Sequence, residues 1–393
     1  MRNAAIPWCV GSYVPGVIPE EPVDPEDPPV DPWDAIPAIS ITSTGATFAP
    51  RLHLHDGATA EVRWTLSDAT TSNSLTPVVD FGTAASRSQS LKVNPPSAIE
   101  TLNFGYDNQE DGGAFHTPSS YDHAPTPISA LTGLQTGAPN LTRLLVSHAE
   151  VTSLDCSGMA HLEIVEAYNT RPLASVNFTG CTALRRVCFE GDNLDSVDLR
   201  DAVAIEDVRC RGQGISQGYT GNFELLLGDV THLWHLCFGT QMSGRVSGLD
   251  GIFNGTIALP AIVEIWPWDA HIGGTFALNA PGGTLRSVWA SGCDFTAVDC
   301  SNITWAATGQ LELFLGGNPL TAINLTGCER VARMNFSSCG LTQALVDYVL
   351  GYVAAQTTTG GEIDLRNNAA PSAAGLAHVA TLQGRGFTVY VAT

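Results

Sequence analysis

The sequence predicts a mainly β fold of the α+β type, a solenoid with a β-sandwich at its N-terminal end and an α/β cap at its C-terminal end. Three observations predict it. An apolar motif recurs every 20 to 29 residues through the centre of the chain, alternating residues mark short strands before it, and helical and strand patterns alternate after it. The 393 residues are enough for two or three domains.

Composition and charge narrow the classes of function. The chain is 44% hydrophobic and 15% charged, which excludes disorder for most of its length, because disordered chains combine low hydrophobicity with high charge. The net charge is −21, and Lys92 is the single lysine. Because phosphate repels so acidic a chain, we expect no nucleic-acid partner and no docking on an anionic membrane. We also expect neither a transmembrane helix nor a signal peptide.

Residues 1–36 are predicted to be a peptide followed by a spacer. Residues 1–18 are short and apolar and carry Trp8, Cys9 and Tyr13. Residues 19–34 hold six prolines and seven acidic residues, which favours an extended segment of about 50 Å at ~3.1 Å per residue. The segment is either an ordinary solvated linker or a spacer, residues 19–36, that holds an N-terminal anchor away from the body. In the second case Trp8, Cys9 and Tyr13 form the candidate assembly anchor.

Residues 37–104 are predicted to form a small β-sandwich. Apolar and polar residues alternate in 38–41, 51–55 and 61–66, and turn signals such as Asp56-Gly57 separate the runs. The stretch AEVRWTLSDAT, followed by VVDFGT, resembles the core of PKD-like modules of the immunoglobulin type.

An internal repeat dominates residues 105–340. It has the form L-x-x-Φ-x-Φ, where Φ is apolar, and a shorter motif interleaves it, as in 151–156 and 320–325. The spacing is that of leucine-rich repeats, whose coils bury apolar residues only against their neighbours, so we expect a leucine-rich repeat array. In the eighth copy Phe314 and Gly316 take the two Φ positions. The motifs begin at Leu141, Leu162, Leu184, Ile205, Leu233, Ile262, Leu285, Leu311 and Val331.

Residues 341–393 are predicted to be a C-terminal α/β cap, because a solenoid otherwise ends in an open apolar face. The pattern predicts a helix over 341–355, a strand over 362–365, a helix over 371–383 and a closing strand over 387–391.

The repeats and the cap carry a family resemblance. Units such as VTSLDCSGMAHLEIVEAYN resemble the short, cysteine-containing leucine-rich repeats of bacterial surface proteins of the internalin and BspA-like kind. The stretch GGEIDLRNNAAPSAAGLAHVATLQGRGFTVYVAT resembles the terminal cap of repeat proteins of tailed bacteriophages. The resemblance covers residues 37–393.

This resemblance implies a non-enzymatic bacteriophage virion protein: a fibre, decoration or receptor-binding component. It implies a place on the virion surface, with assembly in the host cytoplasm and release by lysis. Other virion proteins are then the partners of the N-terminus, a host-surface glycan or protein is the partner of the repeats, and a homo-oligomer is compatible with it. The alternative class is a bacterial cell-surface or secreted leucine-rich repeat adhesin.

Aromatic residues are the strongest sign of a binding site. The fifth and seventh positions of the main motif point away from the core on the strand face. One coil has Trp266 and Trp268 there, the next has Trp289, and Tyr168 shares the face. Equivalent residues of adjacent coils lie about 4.8 Å apart, which predicts that Trp266 stacks on Trp289. We expect these four residues to form an exposed binding patch; the alternative is that an insertion buries them.

The cysteines are predicted to be mostly reduced and structural. Most of the ten fall at core or turn positions of the repeat, where a free thiol packs as a small hydrophobe. Cys293 and Cys339 take the turn position that usually holds Asn or Cys. Cys188 and Cys237 take outward positions two coils apart, too far for a disulfide.

Metal, cofactor and catalytic chemistry are not expected. The pairs His53/His55 and His232/His235 lack a third ligand for zinc. Residues 107–113 form an acidic loop, either plainly solvated or suited to Ca²⁺. No constellation typical of an enzyme is recognisable.

Overall fold

The computed structural model describes residues 31–105, 125–213, 222–239, 246–309 and 311–392. Residues 36–393 form one compact unit, and residues 31–35 are the described part of the unit that spans 1–35. The larger unit is mainly β, with extensive parallel sheets and short helices. The mainly β character predicted from the sequence is confirmed.

The described residues of the N-terminal part of the larger unit contain nine strands. They are β1 (Ile39–Ser43), β2 (Thr47–Phe48), β3 (Arg51–Leu54), β4 (Glu61–Thr65), β5 (Thr71–Ser72), β6 (Val79–Asp80), β7 (Arg87–Asn94), β8 (Ile99–Asn103) and β9 (Ile128–Thr132), with a 3₁₀ helix at Pro96–Ala98.

The N-terminal strands form an antiparallel sheet in the order β5-β4-β7-β1-β9, beside the short pair β2-β6. Trp64 is fully buried under it and meets the ring of Phe48 at 5.6 Å. β9 lies beyond residue 104, where the predicted sandwich ends, and β3 and β8 belong to a different sheet. The residues 37–104 predicted to form a sandwich therefore contribute strands to more than one sheet, and a strand beyond them joins the first sheet.

Short strands recur through the central part of the chain. They are β10 (Arg143–Leu145), β11 (Ser153–Asp155), β12 (Ile164–Glu166), β13 (Ser175–Asn177), β14 (Arg186–Cys188), β15 (Ser196–Leu199), β16 (Asp207–Arg211), β17 (Phe223–Leu227), β18 (His235–Gly239), β19 (Val246–Ser247), β20 (Asn254–Ala258), β21 (Glu264–Trp266), β22 (Gly274–Leu285), β23 (Ser287–Trp289), β24 (Phe295–Asp299), β25 (Ile303–Trp305), β26 (Glu312–Phe314), β27 (Ala322–Asn324) and β28 (Arg333–Asn335). In the described part of this region, two one-turn helices accompany them, α1 (Leu134–Gly137) and α2 (Asp250–Phe253).

The C-terminal part follows the predicted order of elements. It consists of α3 (Gln343–Ala354), β29 (Gly361–Asp364), α4 (Ala373–Gly384) and β30 (Phe387–Tyr390), each within about two residues of its predicted bounds. Thr342 and Ser372 cap the two helices by accepting from the backbone N–H three residues on. None of the helices in the described ranges has the length and hydropathy needed to span a bilayer.

One sheet of thirteen strands connects these parts. Its order is β3-β8-β10-β12-β14-β16-β18-β21-β23-β26-β28-β29-β30, and all neighbours are parallel except β3 and β8. It runs from strands of the N-terminal part to strands of the C-terminal part, so both ends of the central run of strands are paired with further strands. The second strands of the coils form smaller parallel sheets, β11-β13, β15-β17-β19 and β20-β22-β24-β27.

The inward residues of the thirteen strands stack into one continuous buried core. Val165, Val187 and Val208 occupy equivalent positions in successive strands and are fully buried. The second strands contribute Leu154 and Val197 to the same core. Apolar residues at one repeat position thus pack against their own equivalents in the coils before and after.

A polar or sulfur-bearing residue ties the turn of several coils. The Asn318 amide donates to the carbonyls of Ala290 and Leu315, and its oxygen accepts from two backbone N–H groups. Asn368 makes the same contacts one coil and a cap later. At the equivalent position of other coils, Cys339 donates to Leu315 O at 3.2 Å and Cys293 donates to a backbone carbonyl. The predicted turn role of the two cysteines is confirmed.

The position predicted for the repeat motif in the eighth coil is wrong by one residue. Val288 pairs with Leu313, and Trp289 pairs with Phe314. Leu313 and Leu315 are therefore the buried Φ residues, and Phe314 points outward and is half-buried. A shift of one residue exchanges the two faces of a strand, so this correction moves an aromatic ring onto the outer face.

Candidate binding surface

The outward face of the thirteen-stranded sheet places the predicted site residues in rows. Strand register aligns Cys237, Trp266, Trp289, Phe314 and Asn335 in one row across β18 to β28. A second row, two residues further along each strand, begins at Trp268. Because parallel strands lie about 4.8 Å apart, each row brings equivalent side chains into contact.

Three rings of the first row form the aromatic stack, defined here as Trp266, Trp289 and Phe314. The Trp266 and Trp289 centroids are 5.0 Å apart with 18° between the planes, and Trp289 and Phe314 are 5.6 Å apart with 26°. All three are half-buried. The predicted stacking of the two tryptophans is confirmed. Phe314 is a third member that the alignment error concealed.

Both ends of the aromatic stack are closed by other side chains. His235 meets Trp266 edge to face at 5.2 Å, and the Arg333 guanidinium lies 5.3 Å from the centre of the Phe314 ring. The ring faces are thus largely engaged within the stack, and what they present outward is mainly their edges.

The polar atoms of the aromatic stack also have partners. Trp266 Nε1 donates to Ser287 Oγ at 3.3 Å, and Trp289 Nε1 donates to Glu312 Oε2 at 3.0 Å. Arg333 also donates to Glu312, which links the stack to an ion pair. These bonds fix the orientation of the indoles, so the stack is a built part of the sheet face.

Trp268 stands apart from the aromatic stack. It is 44% exposed and is the only exposed tryptophan in the described ranges. Its backbone packs on Gly239, where an added Cβ would lie 2.1 Å from Trp268 O. The next residue, Asp269, has a positive φ of 51° and donates its N–H to Ser291 O at 2.9 Å. The backbone therefore holds Trp268 in place while its side chain meets solvent.

A buried charged cluster occupies the neighbouring strands of the same face. Asp207 Oδ1 accepts from His235 Nδ1 at 2.7 Å and from Arg209 Nε at 3.1 Å. Asp207 is 0% exposed and His235 is 2% exposed. His235 Nε2 lies 3.9 Å from Glu264 Oε2. Sequence analysis missed this cluster, because its members lie in different coils and only the register brings them together.

Glu166 extends the charged cluster. Burial raises the pKa of its carboxyl to about 7, although the charges of Arg143 and Arg209 act in the opposite direction. Its Oε2 atom lies buried without a hydrogen-bond partner among the described residues. A carboxyl in this setting binds a proton near neutral pH.

Tyr168 does not join the tryptophans. It is half-buried and meets His148 edge to face at 5.5 Å. It belongs to the coil of β12, four strands from that of Trp268, which corresponds to about 19 Å. The four predicted residues thus divide into the aromatic stack, the exposed Trp268 and a distant Tyr168.

Several other predicted features lie outside the described residues. These are the candidate anchor Trp8, Cys9 and Tyr13, the spacer residues before 31, and the acidic loop 107–113.

The described cysteines and histidines have structural surroundings. The nine described cysteines are free thiols and buried, and burial raises the pKa of Cys237 to about 12. His55 Nε2 contacts Asn140 O at 3.1 Å, whereas His53 is exposed. No group of three or more His, Cys, Asp or Glu residues able to hold a metal ion occurs within the described ranges.

No protein-family model matches the chain, and no curated protein matches it either.

Proposed function

We propose that this chain is a leucine-rich repeat solenoid of the kind found in tailed bacteriophage virions, and that it is a non-enzymatic fibre, decoration or receptor-binding component. Residues 1–18 attach it to other virion proteins, and residues 19–36 are the spacer. The outward face of the thirteen-stranded sheet binds a glycan or protein of the host surface. The observation that carries the binding role is the exposed Trp268 beside the aromatic stack.

The repeat part of the proposal is supported by the architecture of single coils. Each coil adds one parallel strand in register and buries the same apolar positions, and several coils turn at a residue whose side chain bonds to the backbone. Asn318 and Asn368 occupy that turn position, as asparagine does in leucine-rich repeats.

The binding part is supported by the cost of leaving Trp268 in water. Folding gains little from a large apolar side chain that stays exposed, whereas burial of such a ring on a partner contributes about 1.5–3 kcal/mol. The neighbouring stack is oriented by hydrogen bonds, so a partner would meet a preformed surface.

The non-enzymatic part is supported by the burial of the reactive groups. The His235–Asp207 pair resembles an acid–base dyad in composition, yet both side chains are closed to solvent. Cys237 follows on the same strand face, but its raised pKa disfavours the thiolate that a nucleophile needs.

Mass spectrometry of purified phage particles tests the virion role. We expect the full-length chain in the particles, and we expect a chain lacking residues 1–34 to fold and stay soluble but to be absent from them. Normal incorporation of the shortened chain would contradict attachment through the N-terminus. Recovery of the protein in the envelope of uninfected bacteria, and not in particles, would favour the adhesin alternative.

A further inference from the structure

The chemistry of the partner can be narrowed from the ring surfaces that remain free. Within the aromatic stack the ring faces meet each other, His235 or Arg333, and the indole N–H groups are bonded. Trp268 is the indole of this surface with the largest exposed area. A flat apolar ligand surface therefore has Trp268 as its platform, with the edges of the stack beside it.

A row of small residues continues from Trp268 across the sheet. Ser291, Gly316 and Ser337 take its position in the next three coils. Backbone bonds fix this alignment, because Gly292 N donates to Gly316 O at 2.9 Å and Gly317 N donates to Ser337 O at 2.8 Å. Three strand spacings extend about 14 Å. Gly316 is buried, whereas Ser291 and Ser337 are half-buried. A short linear ligand along the row therefore contacts the two serines beside the ring edges.

Charge around this row disfavours an anionic ligand. Glu264 lies on the same face, Asp269 follows Trp268, and the Arg333 charge is matched by Glu312. The exposed pair His271–Asp294, with Nδ1 2.8 Å from Oδ2, lies on the adjoining turns. Carboxylates and an imidazole suit the hydroxyl groups of an uncharged ligand, since both donors and acceptors are needed there. The chain as a whole carries a net charge of −21, which repels anions from a distance.

From these three observations we infer that Trp268 and the row Ser291, Gly316 and Ser337 form a subsite for a neutral oligosaccharide. One sugar ring stacks on the Trp268 indole, the next units lie along the row, and Asp269, His271 and Asp294 bond hydroxyl groups near the platform. This inference rests on the proposed function, because it names the class of host-surface molecule that the sheet face binds.

Affinity electrophoresis of the purified full chain tests the subsite. The gels contain one neutral polymer each (dextran, laminarin, mannan or hydroxyethyl cellulose), or the anionic polymer polygalacturonate. We expect at least one neutral polymer to retard the protein and polygalacturonate to leave it unretarded. Trp268→Ala should weaken binding of the retarding polymer tenfold or more. Leu376→Ala removes a side chain that is 54% exposed on α4, outside this face, and should leave binding unchanged.

A second variant tests the row without touching the platform. Ser291→Tyr adds bulk beside the stack, and we expect it to weaken binding at least fivefold with an unchanged melting temperature.

Failure of every neutral polymer to retard the wild type would overturn the inference, and so would equal retardation of Trp268→Ala. If the protein is found in particles but binds no neutral polymer, the carbohydrate inference fails and the virion role stands; the reverse result would leave the subsite and remove the virion role.

Discussion

The two halves of the outward face of the thirteen-stranded sheet carry different kinds of side chain on the same parallel backbone. In β10 to β18 the outward positions hold the charged cluster with Asp207, His235 and Glu166, and these side chains are buried. In β21 to β28 they hold the aromatic stack and Trp268, and these are half-buried or exposed. The strands on both sides pair parallel and in register.

The difference shows that the repeat restricts the residue type at inward positions and does not restrict it at outward positions. Inward positions must be apolar in every coil, because each packs on its equivalents. Outward positions need only suit their neighbours about 4.8 Å away. Rings satisfy that condition by stacking on one another, whereas polar side chains satisfy it by hydrogen bonding, as with Asp207, which accepts from Arg209 and His235. Loss of the partner of a buried charge should therefore lower the free energy of unfolding strongly, and removal of an exposed ring should lower it little.

The largest effect is expected for Asp207→Ala. The change removes the acceptor of His235 and Arg209 within a buried cluster, which should lower the free energy of unfolding by about 3–5 kcal/mol. Urea denaturation measures it. Asp198→Ala is the matched control, because Asp198 pairs with Arg200 in an exposed bridge and should cost less than about 1 kcal/mol. Equal losses for the two variants would remove the contrast between the buried and exposed pairs.

The double change Trp266→Ala with Trp289→Ala should cost about 2–3 kcal/mol, because it removes two half-buried rings and their contacts with His235 and Phe314. From the sequence alone the tryptophans were expected to form an exposed patch, for which stability would barely change. Trp268→Ala is the control and should shift the melting temperature by no more than about 1 °C. Thermal unfolding followed by circular dichroism compares the two, and a stable double variant would mean that the stack contributes nothing to the fold.

Glu166→Gln tests the buried charged cluster through the pH dependence of the free energy of unfolding. Burial raises the folded-state pKa of Glu166 to about 7, above its unfolded value. The folded state therefore holds the proton more tightly, so the wild type has this stability in full at acid pH and loses it as pH rises toward and through 7. Gln copies the protonated carboxyl without titrating. We expect the variant to match the wild type near pH 4 and to exceed it by roughly 2 kcal/mol at pH 8.

Urea denaturation of both proteins across this pH range measures the difference. Glu163→Gln is the control, since Glu163 is partly exposed and pairs with Arg185. It should show no comparable gain at pH 8. A pH-independent difference for Glu166→Gln would contradict the assignment of the proton to this carboxyl.

The smallest effect is expected for Asp192→Asn. Asp192 occupies the turn position of Asn318, accepts from Thr170 N at 2.6 Å, and has its pKa raised well above the ordinary range by burial. Burial favours the protonated carboxyl, which the amide imitates, so Asn should change stability by less than about 1 kcal/mol at acid pH, with a gain that grows as pH rises above the unfolded pKa. The reciprocal change Asn318→Asp should be destabilising. Differential scanning calorimetry at pH 4 and pH 8 distinguishes the pair.

Much of the fold followed from periodicity, and the failures have physical causes. The cap elements and the Trp266–Trp289 stack were predictable, because both depend on local pattern or on the spacing of coils. The eighth coil failed because the motif was started at Leu311, which puts Phe314 and Gly316, one residue beyond Leu313 and Leu315, at the two Φ positions. The place of β9 in the first sheet was not predicted, because β9 pairs with β1 across a separation that no local pattern reveals.

The charged cluster was beyond sequence reasoning for a different cause. Asp207, His235 and Glu264 lie in three coils of unequal length, so their contact depends on the register of the strands. The exposure of Trp268 was likewise expected only as one of two alternatives, since sequence position does not show whether an insertion covers a ring.

The shared sheet also has a mechanical consequence. Hydrogen bonds between its strands run along the order of strands, so tension between the sandwich and the cap loads the strand pairs in series and the weakest pair yields first. Among the parallel pairs of this sheet, β21 and β23 have the shortest register, Glu264 with Ser287 and Ile265 with Val288. The Trp266–Trp289 contact and the Trp266–Ser287 bond bridge that same pair. The rings that border the proposed subsite thus also reinforce the strand pair that we expect to separate first under tension.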